Sequence, residues 1–228
     1  ASRSRPVEDC LAEARRLLAA GFREIVLSGI NLRQYASAGA DFWTLVQGLE
    51  SALAPEWAGV ARFRISSLEP GQLHDRALEV LATGRLIAPH LHISMQSGSR
   101  RVLGSMNRGH YEPGQLVDFL KGLSSMWPVY GLGADFIAGF PGESEEEHRE
   151  TLALLEGLPF TYAHVFPFSA RPGTRAARLP EQVGSEVKKR RAAELRAIAR
   201  ARREGFLRAM VVIPAQWVVF EDRAGQEH

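Results

Sequence analysis

A chain of 228 residues with 45% hydrophobic and 24% charged side chains can bury one sizeable core, and it has the balance of an ordinary globular protein rather than a disordered or fibrous one. No apolar run approaches the roughly 18 residues of a membrane span, and the opening ASRSRP lacks the apolar stretch of a secretory signal, so a cytoplasmic location is expected. The net charge of +2 hides an uneven distribution: nine Lys and Arg side chains crowd between Lys188 and Arg208, while Glu143, Glu145, Glu146 and Glu147 sit together earlier. Cys10 is the only cysteine, which excludes an internal disulfide and any cysteine ligand set for zinc or an iron–sulfur cluster.

Along the chain, Val7, Leu11, Ala14, Leu17 and Leu18 recur at helical steps between Pro6 and Gly21, and predict a first helix. The run 23–29, Arg-Glu-Ile-Val-Leu-Ser-Gly, is short, apolar and ended by glycine, as a buried parallel strand would be. The helix-then-strand unit recurs: helix 41–53 before strand 62–67, helix 71–82 before strand 90–96, helix 111–126 before strand 133–139, and helix 144–158 before strand 162–167. Five such strands imply a parallel sheet with right-handed crossovers, either doubly wound or part of a β/α barrel. A long basic helix then runs from beyond Pro180 to about Met210, and 216–221 reads as a final strand.

In parallel α/β folds ligands bind beyond the carboxyl ends of the strands. The residues there are Ser28-Gly29-Ile30-Asn31, Ser66-Ser67-Leu68-Glu69-Pro70, Ser94-Met95-Gln96-Ser97-Gly98, Gly139-Phe140-Pro141-Gly142-Glu143 and Phe168-Ser169-Ala170-Arg171-Pro172-Gly173-Thr174. All five fall on one rim. They offer hydroxyl, amide and carboxylate groups, with glycines that permit close backbone approach, which suits a polar cofactor with an amino-acid end and a ribose. Each segment alone also reads as a cap or turn: Asn31 as a loop residue, 139–142 as the turn before a helix capped by Ser144.

Asp135 lies inside an otherwise apolar strand, where a carboxylate needs a partner or a polar cavity; an ion pair with a neighbouring arginine and a cavity-facing role weigh equally. His90 and His92 share one face of their strand at a spacing that could bind metal, but with no carboxylate or cysteine beside them in sequence they read as structural histidines.

Taken in order, the segments Gly-Ile-Asn-Leu, Arg-Ile-Ser-Ser-Leu-Glu-Pro, His-Leu-His-Ile-Ser-Met-Gln-Ser-Gly-Ser, Met-Asn-Arg, Ala-Asp-Phe-Ile-Ala-Gly-Phe-Pro-Gly-Glu and Val-Phe-Pro-Phe-Ser-Ala-Arg-Pro-Gly-Thr resemble the radical S-adenosylmethionine (SAM) methylthiotransferase family. The likeness is greatest to the branch that modifies threonylcarbamoyladenosine beside the anticodon of tRNA, and it runs from about Ser2 to Glu221. The resemblance implies a partial parallel β/α barrel of TIM-like type over residues 1–180, lacking its first strand and cluster loop. A basic helical linker would follow over 181–210, then the start of a small TRAM-like β domain over 211–228. It further implies that Gly29 and Asn31 hold the amino group of SAM, that Ser94 and Gln96 contact its ribose and methionine, and that Asp135 to Gly139 back its adenine. Val165, Phe166 and Phe168 would line the adenine pocket, with Glu69 and Arg108 at the same rim; Arg171 and Thr174 would face the incoming nucleotide. Lys188, Lys189, Arg190 and Arg191 would contact tRNA phosphates, against the alternative of a solvated helix face partnered by Glu186, Glu194 and Glu204.

Members of the family bind a [4Fe–4S] cluster through a C-x-x-x-C-x-x-C loop after the first strand, and a second cluster upstream. This sequence has neither motif and is expected to be a piece of such an enzyme, inactive alone. For the whole enzyme the resemblance implies reductive cleavage of SAM, hydrogen abstraction from the adenine ring by a 5′-deoxyadenosyl radical, and addition of sulfur and a methyl group from a second SAM. The alternatives are a different radical SAM enzyme, with a ribosomal-protein or porphyrin-precursor substrate, and a non-catalytic tRNA-binding module. No catalytic side chain and no metal ligand of this chain follows from the resemblance.

Overall fold

The structure is a computed structural model that describes residues 3–109, 111 and 113–215. The strand expected at 216–221 lies outside the described residues. Helix α1 (Val7–Ala19) leads into β1 (Glu24–Leu27), α2 (Phe42–Trp57) into β2 (Arg62–Ile65), and α3 (Asp75–Thr83) into β3 (His90–Gln96). After these come α4 (Arg100–Ser105), α5 (Pro113–Met126), β4 (Gly131–Ala138), α6 (Glu145–Gly157), β5 (Tyr162–Pro167) and α7 (Ser185–Val211).

Each strand lies parallel to the next in chain order. Ile25 stands opposite Phe63, Leu91 opposite Leu132, and Asp135 opposite His164. Between β2 and β3 the ladder thins to the parallel bridges Phe63–Ile87 and Leu68–Ile93, where the Leu68 amide donates to the His92 carbonyl at 2.9 Å. The product is a partial TIM-like arrangement, with no closed barrel among the described residues.

The period-2 alternation of the strands sorts their side chains between two faces. Ile25, Phe63, Ile65, Leu91, Ile93, Leu132, Phe136 and Val165 point towards the helices and are buried. Each large apolar side chain removed from water in this way contributes about 1.5–3 kcal/mol. The alternate positions, Glu24, Arg62, Arg64, His90, His92, Asp135, Tyr162 and His164, make the other face polar. Two apolar clusters result: one between α1, α2 and the first strands, the other around β3, β4 and β5.

Helix α7 belongs to the second cluster through Ala192 and Leu195. Its Arg191 is only 3% exposed, so it cannot reach a phosphate on tRNA as the sequence suggested. Its Nη1 donates to Glu143 Oε2 and to the Glu143 carbonyl, both at 2.8 Å, and its Nη2 to Glu145 Oε1 at 2.8 Å. A buried guanidinium is tolerated only with such partners. Nearby, His148 Nε2 lies 2.7 Å from Glu194 Oε2, and Arg196 donates to the Val165 carbonyl at 2.8 Å.

Several boundaries differ from the sequence reading for identifiable reasons. Helix α2 continues past Leu53 through Pro55, because Trp57 packs against the first cluster and lies under the Arg23 guanidinium at 5.3 Å. The helix expected over 71–82 is split: Glu69 and Gln72 form a capping box around a short 3₁₀ turn, and α3 starts only at Asp75. Six-residue α4 is too short to show a helical period. Strand β4 begins two residues early, at Gly131, which carries no strand signal of its own.

Two stability experiments follow. Arg191→Ala leaves the Glu143 carboxylate buried without its cation and should cost about 3–5 kcal/mol in urea unfolding, whereas exposed Lys189→Ala should stay within about 0.5 kcal/mol. Glu147 accepts from Arg101 Nη2 at 2.6 Å. The Arg101 bond, opposed by burial and helped by the Ser144 amide and hydroxyl, holds its carboxyl at about 2 against an ordinary 4.5. A depressed carboxylate stabilises the fold above its ordinary pKa, and this is lost as pH falls through its folded value. The melting temperatures of the native chain and Glu147→Gln should therefore differ at neutral pH and converge as pH falls from 4.5 towards 2.

Candidate functional site

The five polar segments sit at the carboxyl ends of the five strands. At three consecutive ends the backbone turns through the left-handed region: Ser67 at φ 61°, Gln96 at φ 68° and Gly139 at φ 74°. Two of these are not glycine, a conformation that costs energy and concentrates at functional sites. Ser66, Ser94 and Gln96 are half-buried and Ser28 and Gly29 exposed, so their polar groups reach the rim surface.

Some rim residues are held by the protein itself. Asn31 Oδ1 accepts from the Gln34 amide at 3.2 Å and caps a 3₁₀ turn. Glu69 ties three loops together, with Arg33 Nε at 3.1 Å and Arg108 Nη1 at 3.7 Å. Behind Gln96, Ser97 and Gly98 bond to Thr151 Oγ1 at 3.2 and 3.0 Å, and a Cβ on Gly98 would stand 2.6 Å from the Glu150 carbonyl. Gly98 thus serves close packing on α6 rather than ligand contact. The Gly139 amide donates to Glu143 Oε2 at 2.6 Å, and burial raises the Glu143 carboxyl despite that bond and Arg191. Phe140 and Phe168 meet edge to face at 5.2 Å, with the Lys188 ammonium 5.7 Å from the Phe168 ring.

Val165 is buried in the apolar core, so a pocket on the rim could use its backbone but not its side chain; Phe166, its neighbour, is 53% exposed on the polar face. Arg171 and Thr174 lie on an exposed loop, where Thr174 Oγ1 donates to the Arg171 carbonyl at 2.8 Å. A cavity of about 420 Å³ lies on the helix side of β1 and touches the rim only at residues 28–31. Its lining is mainly apolar and includes Cys10, whose thiol burial pushes up.

Below the rim, the polar face carries a chain of contacts that was not foreseen. His92 Nε2 lies 3.0 Å and His164 Nδ1 3.2 Å from the same Asp135 oxygen. Tyr162 Oη lies 3.0 Å from His92 Nδ1 and 2.9 Å from His90 Nε2. Of the two readings of Asp135, the arginine pair is corrected, since the carboxylate partners two histidines, and the carboxylate absent beside His92 in sequence comes from the next strand. Burial works to raise the Asp135 carboxyl, but bonds and charge from His92 and His164 leave it lowered. Burial first, then Arg64, brings His90 down to about 4. The rings of β3 and β5 meet across β4 because Gly133 leaves the space: a Cβ there would stand 2.1 Å from Tyr162 Cζ and 2.6 Å from His92 Nδ1.

An open, parallel β/α partial barrel with a polar rim at its strand carboxyl ends is the class that fold and site define. The radical SAM superfamily model matches residues 1–155, and the chain belongs to that superfamily. It is 41% identical over 197 residues to a threonylcarbamoyladenosine tRNA methylthiotransferase, MtaB, of Bacillus subtilis, covering 86% of this chain and 43% of that protein. It is 40% identical over 196 residues to a tRNA-2-methylthio-N(6)-dimethylallyladenosine synthase of Prosthecochloris aestuarii, covering 85% and 43%. The chain thus spans less than half the length of these relatives. Among solved structures it resembles coproporphyrinogen III oxidase (HemN) of Escherichia coli, a radical SAM enzyme, with TM-score 0.60 and 15% identity over 88% of this chain and 44% of that one. This last likeness concerns the fold alone.

The crossing at Gly133 is directly testable. Gly133→Ala should displace Tyr162 and cost about 1–3 kcal/mol by overpacking, and Tyr162→Ala in the same chain should recover part of that loss in chemical denaturation.

Proposed function

We propose that this chain is the SAM-binding core of a tRNA methylthiotransferase that acts on threonylcarbamoyladenosine beside the anticodon. The observation that carries this reading is the set of six ordered motifs, five of them at strand carboxyl ends on one rim, in a chain whose relatives of both methylthiotransferase names match over most of its length. The donor chemistry of the rim suits SAM. Gly29 and Asn31 would meet its amino-acid end, Ser94 and Gln96 its ribose and methionine, and Gly139 with Phe166 and Phe168 its adenine. One SAM bound there would supply the radical, and a second SAM the methyl group. The protein's own share is to orient both reactants and to keep water from the reacting centre.

A [4Fe–4S] cluster is held by several cysteine thiolates. This chain has Cys10 alone, half-buried on α1, so its residues do not fit a cluster. We expect the chain by itself not to cleave SAM.

For tRNA contact the candidates shift along α7. Lys189 pairs with Glu186 at 2.8 Å and Arg190 with Glu145 and Glu194 at 2.6 and 2.9 Å. Arg200 and Arg203 are exposed, share a helix face and have no recorded ion-pair partner among the described residues.

In a strain lacking the gene, nucleoside analysis of tRNA should show loss of the methylthiolated threonylcarbamoyl nucleoside and retention of the dimethylallyl one. The reverse pattern would move the chain to the other branch, and retention of both would overturn the reading. Arg200→Glu with Arg203→Glu should weaken tRNA binding and reduce the salt dependence of log K by about one for each phosphate contact removed.

A further inference from the structure

We propose that the polar face of the β3–β4–β5 sheet holds one divalent transition-metal ion, with His92, Asp135 and His164 as its protein ligands. The three side chains come from three adjacent strands whose ladder fixes their spacing. Their donor atoms lie within 4.8 Å of one another, with the Asp135 oxygen 3.0 Å from His92 Nε2 and 3.2 Å from His164 Nδ1. In a tetrahedral zinc site, with bonds near 2.0–2.1 Å, neighbouring ligand atoms stand about 3.3 Å apart. Both separations from Asp135 match, and an ion can take the place of the shared protons once side-chain rotation brings the two imidazoles onto it. Two imidazoles and one carboxylate suit zinc, cobalt, nickel or ferrous iron, and do not suit magnesium or calcium, which take oxygen ligands.

A second observation points the same way. A ligating imidazole needs its other nitrogen held, and His92 Nδ1 is held by Tyr162 Oη at 3.0 Å. That phenol is positioned by His90 Nε2 at 2.9 Å and by the missing side chain of Gly133. Arg64, the nearby cation, has Glu24 at 3.8 Å to offset its charge. Exposure is graded across the site: the side chains of His92, Asp135 and His164 are 10%, 24% and 57% accessible. One wall is fixed and the other open, which leaves a coordination position for water or a small anionic ligand. The site needs neither SAM nor a cluster, so it stands independently of the proposed function.

The test is titration of the metal-free chain with Co²⁺, followed by visible absorption, and with Zn²⁺ in competition with a chromophoric chelator. One ion per chain is expected, with the intense visible bands of tetrahedral cobalt. His164→Ala, at an exposed side chain, should abolish those bands and weaken Zn²⁺ at least tenfold, and Tyr162→Phe should weaken it about tenfold. Cys10→Ser and His74→Ala, outside the cluster, should bind as the native chain does. Should His164→Ala fail to fold by circular dichroism, His164→Gln supplies the same comparison. Absence of stoichiometric binding by the native chain, or unchanged affinity in the His164 variant, would overturn the proposal.

Discussion

The alternation of side chains across parallel strands is the constraint on which everything else rests. Because β1 to β5 run the same way, all five carboxyl ends open onto one rim, and alternate residues of every strand face the same side. Helices cover the apolar face, as α/β packing demands. The opposite face keeps polar groups that the apolar side could not accept without partners. The rim and the histidine–aspartate cluster are two consequences of this one arrangement.

The rim is then set by clamps behind it. Glu143 receives the Gly139 amide on one side and Arg191 on the other, so the turn after β4 is tied directly to α7. Thr151 of α6 does similar work for the turn after β3. These bonds brace the turns in which Gln96 and Gly139 take left-handed conformations that an unsupported loop would abandon. The basic helix is thus part of the rim's foundation.

What was legible in the sequence follows from the same physics. The five strands and their ends could be read because parallel strands are short apolar runs closed by glycine or polar residues. The first two residues of β4, Gly131 and Leu132, were hidden, because Gly131 carries no strand propensity and ends the apolar run. Gly133 within it is the reason that His92 and Tyr162 meet across the strand between them. A signal existed: His-x-His at 90–92, Gly-x-Gly-x-Asp at 131–135 and Tyr-x-His at 162–164 all share one face once the strands are aligned. Arg191 was misread because its partner Glu143 lies 48 residues away in sequence, beyond the reach of any local pattern.

On the reading proposed above, the strand carboxyl ends form the SAM-facing surface of this chain. Amide hydrogen exchange of the chain with and without saturating SAM tests it most directly. Slowed exchange is expected at residues 28–31, 66–69, 94–97 and 139–143, with none at the opposite strand ends. Protection confined to those opposite ends, or to the cavity lined by α1 and α2, would contradict it.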